Sequence, residues 1–378
     1  MRPGSPAPEG AMPGAAPRIA LVAASLEILG GQGVQARALV ERLRQDGYPV
    51  RFIPINAALP RALRWVRGIR YLRTVVNQLF YLPSLAALWR ADVVHVFSAS
   101  YWSFLLAPAP AMLAGRLLGK RVVLHYHSGE AEDHLAHWGA RVHPWLRLAH
   151  EIVVPSGYLQ QVFARHGYRA RVVGNVVDTA HFRYRERSPL RPRLLSTRNF
   201  EPYYRVDITL RAFAWIQERY PDATLTLAGT GSEEPRLRQL AARLGVDGGL
   251  RFAGRVEPGS MPALLDGADI FMNASVVDNQ PVSVLEAFAA GLPAVSTATG
   301  ELAAMVRDGE TGLTVPREDP GAMARAVVAL LENPQRAREL ARRARAEVAR
   351  STWPRLRAAW AAVYAGSGVE IPDSGAGK

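Results

Sequence analysis

The stretch that decides the fold is IFMNASVVDNQPVSVLEAFAAGLPAVST, residues 270–297. It opens on a short apolar run, Ile270–Asn273, and closes on another, Ala294–Ser296, each the length of a buried strand. Between them, Pro281 suits a first helical position and Gly291 the residue past a helix end, while Val282, Leu285 and Ala289 fall at helical spacing for a buried face. Strand, helix, strand in so few residues is a βαβ unit, and its strands must run parallel. The helix begins beside Asp278, so the unpaired amides of Val282 and Ser283 lie at its positive end, a natural seat for a diphosphate. Glu286 sits inside this apolar helix and is costly there unless it meets donors such as ribose hydroxyls. The competing reading makes Asp278 a surface loop residue and Glu286 a structurally paired acid.

Working outward, the same unit recurs. Apolar runs at Ile19–Ala23, Val50–Ile55, Val93–Phe97, Val122–His125 and Ile152–Val154 form one series, each followed by a helical pattern. Leu194–Ser196, Leu225–Ala228 and Leu250–Phe252 join the two runs above in a second series. Two parallel sheets, covered on both faces, are therefore expected, with a cleft beyond the carboxyl ends of the strands. The Arg- and Pro-bearing segment His181–Arg193 is read as the linker. The domain expectation is a disordered lead over 1–17, an N-terminal Rossmann-like domain over 18–188, and a C-terminal one over 189–350. A terminal helix over 351–365 packing back on the first domain and a disordered tail over 366–378 complete it. Pro334–Ala365 reads as helical and rich in arginine, more as a solvated basic face than as an anion site.

Composition narrows the chemistry. The 378 residues, 49% hydrophobic, suffice for two cores. Cysteine is absent, which removes disulfides, thiolate metal sites and cysteine nucleophiles and fits a reducing compartment. A net charge of +13 draws phosphorylated ligands, nucleic acid and anionic lipid alike, and nearly all of it is arginine, the only lysines being Lys120 and Lys378. The lead has no apolar stretch of signal-peptide length, and Tyr101–Gly115, interrupted by Pro108 and Pro110, is too short for a membrane span.

The resemblance that these segments carry is specific. The chain resembles glycosyltransferase family 4, whose GT-B fold sets two Rossmann-like domains across a cleft, and whose Glu-x7-Glu signature here reads Asp278 to Glu286, followed by Ala290-Gly291-Leu292-Pro293. The likeness runs from about Ile19 to about Tyr364, through Gly30-Gly31-Gln32-Gly33, Val154-Pro155-Ser156, Gly174-Asn175-Val176-Val177-Asp178 and Gly309-Glu310-Thr311-Gly312-Leu313. It implies retaining, metal-independent transfer from a nucleoside-diphosphate sugar to a saccharide or lipid-linked acceptor, in cell-surface polysaccharide or glycolipid assembly. No cofactor is implied, and no nucleic-acid partner; the implied location is cytoplasmic, with the inner face of the membrane as an option.

Carried residue by residue, the resemblance gives Glu286 the ribose and Asp278 the sugar hydroxyls, with Asn279, Gln280, Val282 and Ser283 completing the cradle. Gly31 and Gly33 fall in the glycine loop on the donor side. Arg198 matches the arginine that binds the leaving diphosphate, but Tyr204 stands where a lysine is usual, and Arg205, one position later, is read as the replacement cation. Arg255 is a further candidate for phosphate or base. In His125-Tyr126-His127-Ser128-Gly129-Glu130, His127 is read against the donor sugar, with a merely structural histidine as the alternative, and Glu130, with Glu132 and Asp133, toward the acceptor. The catalytic set so expected is His127, Arg198, Arg205 and Asp278, without a metal.

The rivals are a non-catalytic sugar-nucleotide-binding relative and a nucleotide-sugar epimerase. A nicotinamide dehydrogenase is disfavoured because Gly229-Thr-Gly231 is followed by Glu234 where the dinucleotide fingerprint needs its third glycine. The arginines at 61, 64, 67, 70 and 73, with Trp65 and Tyr71, suggest contact with a membrane surface, although a repeat of three winds around a helix and makes no single basic face.

Overall fold

The computed structural model describes residues 16–25, 31–56, 65, 69–98 and 100–366. The expected lead to residue 15, the tail from 367, Gly30 and the arginines at 61, 64 and 67 lie outside the described residues. The first domain runs β1 (Ile19–Ala23), α1 (Gly31–Gln45), β2 (Val50–Pro54), α2 (Arg70–Ser84), β3 (Val93–Ser98). It continues through α3 (Tyr101–Leu106), α4 (Pro108–Leu117), β4 (Arg121–Tyr126), α5 (Ala131–Leu146), β5 (Glu151–Val154), α6 (Gly157–Arg165) and β6 (Arg171–Val172). The second holds β7 (Arg193–Ser196), α7 (Val206–Arg219), β8 (Thr224–Ala228), α8 (Glu234–Leu244), β9 (Leu250–Gly254), α9 (Met261–Asp266) and β10 (Ile270–Asn273). Then come α10 (Val282–Ala290), β11 (Ala294–Thr297), α11 (Leu302–Met305), β12 (Leu313–Val315), α12 (Pro320–Glu332) and α13 (Pro334–Val348), and last α14 (Trp353–Ala365).

Each domain is a six-stranded parallel sheet, in the orders β2-β1-β3-β4-β5-β6 and β12-β11-β10-β7-β8-β9. Strand residues are buried on both sides, as a doubly covered sheet requires: Ala20, Val22, Val94 and Val96 face one core, and Ile19, Leu21, Val93 and Val123 the other. α14 belongs to the first of these sheets although it ends the described chain. Its Trp360, Val363 and Tyr364 pack with Ile19 and Leu21, and the Arg121 guanidinium donates to the Val363 carbonyl at 3.0 Å. The long arginine-rich helix is accordingly two helices, broken at Ser351–Thr352 where the chain recrosses, α13 packing on the second domain through Ala344 and Val348.

The segment expected to be a free linker is fastened to the second domain. Arg185 donates to Asp266 at 2.8 Å, and buried Arg187 to the carbonyls of Arg185, Leu265, Ala268 and Ala290. α10 also differs in detail from its expected outline. Pro281 is its N-cap, in extended conformation, rather than its first helical residue, and the helix is buried except where Val282 and Glu286 meet the cleft, because α9, α13 and the sheet enclose the rest. Gly291 closes it in the left-handed conformation at φ 77°. Among the described residues no helix is long and apolar enough to cross a membrane.

Candidate active site

A cleft of about 360 Å3 lies where the carboxyl ends of both sheets face each other. Gly31 and Gln32 enter it from the start of α1, His127 to Glu130 from behind β4, and Asn175 from beyond β6. The second sheet contributes Thr197 and Arg198 after β7, Gly229 and Thr230 after β8, Arg255 after β9, and the segment Val277–Ser283 with Glu286 around the start of α10.

Arg198 organises the second wall. Its guanidinium donates to the Asp278 carboxylate at 2.6 Å and to the Ser283 hydroxyl at 2.9 Å, and lies 3.9 Å from the centre of the Tyr204 ring. Both partners of the ion pair are buried. Burial raises the Asp278 carboxyl, and the Arg198 charge opposes that rise. Two glycines permit the arrangement. A Cβ on Gly229 would run into the Arg198 carbonyl, and one on Gly300, held at φ 52°, into the Asp278 carbonyl. Glu286, partly buried and lining the cleft without an ion-pair partner among the described residues, is pushed up to about 8 by burial. At the start of α10 the amides of Val284 and Leu285 return to the Pro281 carbonyl, leaving those of Val282 and Ser283 for the cleft.

On the first wall, the His127 ring stacks on Phe97 with centroids 5.0 Å apart and lies 4.0 Å from that of buried His125. Behind it, His125 Nδ1 meets His95 Nε2 at 3.2 Å, and His95 Nδ1 meets the Tyr364 hydroxyl at 2.9 Å. Burial lowers His127 to about 3, so the ring is neutral at ordinary pH. The two walls are clipped together. The Asn175 side-chain amide donates to the Gln280 carbonyl at 2.7 Å, the Asn175 backbone amide donates to the Gln280 side chain at 2.5 Å, and Ser156 bonds Asn279.

Of the residues expected at the site, Gly31, His127, Glu130, Arg198, Arg255, Asp278, Asn279, Gln280, Val282, Ser283 and Glu286 all line this one cleft. Two do not. Arg205 takes a left-handed backbone at φ 45°, ψ 46°, which turns its side chain away to Asp207 at 3.0 Å and to Glu318. Gly33 lies inside the first turn of α1, buried, because the expected glycine loop is already helix from Gly31. Glu132 is engaged with Arg165 and Asp133 with the Tyr101 hydroxyl, leaving Glu130 alone of the three acids on the cleft. Sequence reasoning missed Thr197, Tyr203 and Met261 as lining residues. Thr197 directly follows a predicted strand, which was a usable signal; Met261 had none. Among the described residues, no group of three or more His, Asp or Glu side chains is disposed to hold a metal ion.

Four buried polar atoms on this lining have no protein partner: Thr197 Oγ1, Arg198 Nε, His127 Nε2 and Asn279 Nδ2. Buried polar groups are rarely left so, and these four belong to residues of a single lining.

Known proteins share this architecture and sequence. Residues 191–333 match the profile of Glycosyl transferases group 1, and residues 29–181 that of Glycosyltransferase Family 4. Glycogen synthase of Mycobacterium tuberculosis is 28% identical over 291 residues, 73% of this chain and 69% of that protein. N-acetyl-alpha-D-glucosaminyl L-malate synthase of Bacillus anthracis is 26% identical over 361 residues, 85% of this chain and 89% of its own. Among solved structures, sucrose-phosphate synthase from Thermosynechococcus elongatus has a TM-score of 0.73 at 20% identity, covering 93% of this chain and 98% of that one. Anabaena HepE in complex with UDP and glucose has a TM-score of 0.68 at 18% identity, covering 89% and 95%.

Proposed function

Because the chain belongs to the glycosyltransferases of group 1 and family 4 and has their GT-B fold, we propose that this glycosyltransferase moves a sugar, with retention and without a metal, from a nucleoside diphosphate to a saccharide or lipid-linked hydroxyl. The observation that carries the reading is the lining of one cleft by Arg198, the amides of Val282 and Ser283 at the start of α10, and a carboxyl without an ion-pair partner among the described residues, Glu286. A nucleoside-diphosphate sugar presents the complementary set: phosphate oxygens for the arginine and amides, ribose hydroxyls for the carboxyl, sugar hydroxyls for His127 and Asn279. The Anabaena relative, solved with UDP and glucose, supports the same class of donor.

In this mechanism the anomeric carbon–oxygen bond breaks with its electron pair passing to the diphosphate. Arg198 and the amides of Val282 and Ser283 bind the growing negative charge more tightly than the bound donor. The acceptor oxygen attacks from the same face, and its proton passes to the departing phosphate oxygen. Asp278 is occupied by Arg198, and Glu286 is assigned to the ribose, so neither serves as a nucleophile in this reading. Metal independence rests on the same distribution: arginine and helix amides take the diphosphate charge. A cytoplasmic enzyme of cell-surface polysaccharide or glycolipid assembly is the setting that this chemistry fits.

The test is thermal stabilisation and donor hydrolysis with UDP, GDP, ADP and TDP sugars in the presence of EDTA. Stabilisation by one donor with slow release of its diphosphate is expected, and a requirement for divalent cation would remove the metal-independent mechanism. Stabilisation without release, even with a panel of acceptors, would favour the non-catalytic alternative.

A further inference from the structure

Tyr204 stands where the sequence resemblance expects a lysine, and the cation one position later does not make up for it, since Arg205 lies outside the cleft. Arg198 and Arg255 are the two guanidinium groups on the described lining. Arg255 is half exposed and lies 3.5 Å from Glu257, whereas Arg198 is buried. A diphosphate in this cleft therefore leans chiefly on Arg198, and what holds Arg198 matters more than it would beside a second buried cation.

The backbone delivers Tyr204 to that position. The Glu201 carboxylate accepts from the Ser232 hydroxyl at 2.9 Å, the Tyr203 carbonyl accepts from the Val276 amide at 2.9 Å, and between these ties Pro202–Tyr204 forms a 3-10 turn. Val276 is two residues from Asp278, so the turn is anchored to the loop that carries the ion-pair partner of Arg198. At Arg205 the chain enters the left-handed region before α7 begins, and consecutive side chains part company: Arg205 goes out to Asp207, and Tyr204 goes in against the second core. The Tyr203 ring meets the Tyr204 ring edge on, with centroids 4.5 Å apart, and steadies it from the cleft side.

Arg198 is thereby fixed by three different kinds of contact. One terminal nitrogen donates to Asp278, the other to Ser283, and the group lies over the Tyr204 ring at 3.9 Å, while Nε has no protein partner. An arginine side chain carries much rotamer freedom, and fixing it before a ligand arrives removes that cost from the reaction. The ring attracts the cation through its quadrupole and, being uncharged, does so without the repulsion that an ammonium in its place would add. Burial raises the Tyr204 phenol, so the ring stays uncharged at ordinary pH. We propose that Tyr204 is a positioning residue of this site, its ring holding the Arg198 guanidinium in place for the leaving diphosphate in the stead of a second cation. The kinetic half of this proposal rests on the transfer reading above; the clamp itself does not.

Two measurements on the full chain test it. Without any donor, the Arg198 Nε–H resonance, identified by its disappearance in Arg198→Lys, should lie upfield of the other arginines because it sits over an aromatic ring. It should stay there in Tyr204→Phe and move downfield in Tyr204→Leu; an undisplaced resonance in the parent chain overturns the clamp. With donor, Tyr204→Leu should lower kcat for diphosphate release roughly 10- to 30-fold, the worth of a desolvated cation–ring contact, with KM changing less. Tyr204→Phe should stay within about threefold of the parent, since the ring remains. Added to Arg198→Ala, Tyr204→Leu should cost nothing further, because its effect passes through the guanidinium. Equal losses in both backgrounds would reduce Tyr204 to packing, and parent-level turnover in Tyr204→Lys would make the position a phosphate contact; either result overturns the proposal. A parent chain that hydrolyses no donor would end the transfer reading and the kinetic role together, and the displaced resonance would still establish the clamp.

Discussion

The two sheets share one plan, six parallel strands with the cleft at their carboxyl ends, yet they furnish that cleft with opposite materials. The C-terminal wall is charged and internally matched: Arg198 is held between the Asp278 carboxylate and the Tyr204 ring, with Ser283 as a third contact. The N-terminal wall is a stack of neutral rings, His127 on Phe97 and beside His125, with His95 and Tyr364 behind. Burial acts on both walls with one rule and opposite results. It raises acids such as Glu286 and lowers bases such as His127 and His95, the last also to about 3, so each wall is kept as free of unpaired charge as its residues allow. Arg198, paired with Asp278, is the buried charge on which the proposed diphosphate site rests, while the ring wall is neutral.

The sharpest way to break this contrast is to remove the charge. Arg198→Ala should lower turnover at saturating donor by roughly 1,000-fold, the scale seen when one preorganised donor to a developing anion is lost. Arg205→Ala should change it by less than about threefold, because that partly buried side chain is engaged with Asp207 and Glu318 outside the cleft. Equal losses from the two variants would restore Arg205 to the site and end the contrast with it.

Glu286 sharpens the comparison in a second way. Glu286→Ala should weaken donor affinity by roughly tenfold, the worth of one or two hydrogen bonds to a neutral group, with turnover at saturation less affected. Its ionisation also bears on the empty protein. The folded carboxyl titrates near 8 against an ordinary 4.5, so the folded state keeps a proton that the unfolded chain has already released. That contribution is fully present below about pH 4.5 and is lost as pH rises through 8, to the extent of about 2 kcal/mol once partial exposure is allowed for. Glu286→Gln should flatten the fall in melting temperature over this window. An unchanged slope would mean that the carboxyl has found a partner.

How legible all this was in the sequence depends on what each feature needs in order to exist. β1 and β10 could be read to the residue because a doubly covered strand is a bare apolar run bounded by polar turns. β6 and β12 escaped, since Arg171–Val172 and Leu313–Val315 are short edge strands with too few residues for a pattern. α10 was legible through Gly291, whose positive φ the sequence advertises; the left-handed Arg205 was not, because an arginine gives no such notice. That single backbone turn is why a cation one position late in the motif ends up outside the cleft, and why Tyr204, which looked like a loss, lies under Arg198 instead. The exposed apolar residues of α2, Tyr71, Val75 and Leu79, were hidden for a related reason: periodicity shows that a helix has two sides, and only the packed structure shows that both are apolar.

The smallest expected effect tests the ring wall itself. Tyr364, in the last turn of α14, touches His95 Nδ1, and His95 touches His125 beside His127, so α14 is connected to the N-terminal wall of the cleft through three imidazoles. Tyr364→Phe removes one hydroxyl without altering the stacked ring, which lies 5.7 Å from Trp360. It leaves His95 with an unmet nitrogen in a buried setting, at a stability cost of about 1–2 kcal/mol, and frees the tautomer that orients the rings in front. The expected kinetic outcome is a two- to fourfold rise in donor KM with kcat unchanged, and a larger response in the His127 ring resonances than in those of the C-terminal wall. A drop in kcat alone, with the His127 resonances unmoved, would mean that the neutral wall is only packing and that the division of labour between the two sheets ends at Arg198.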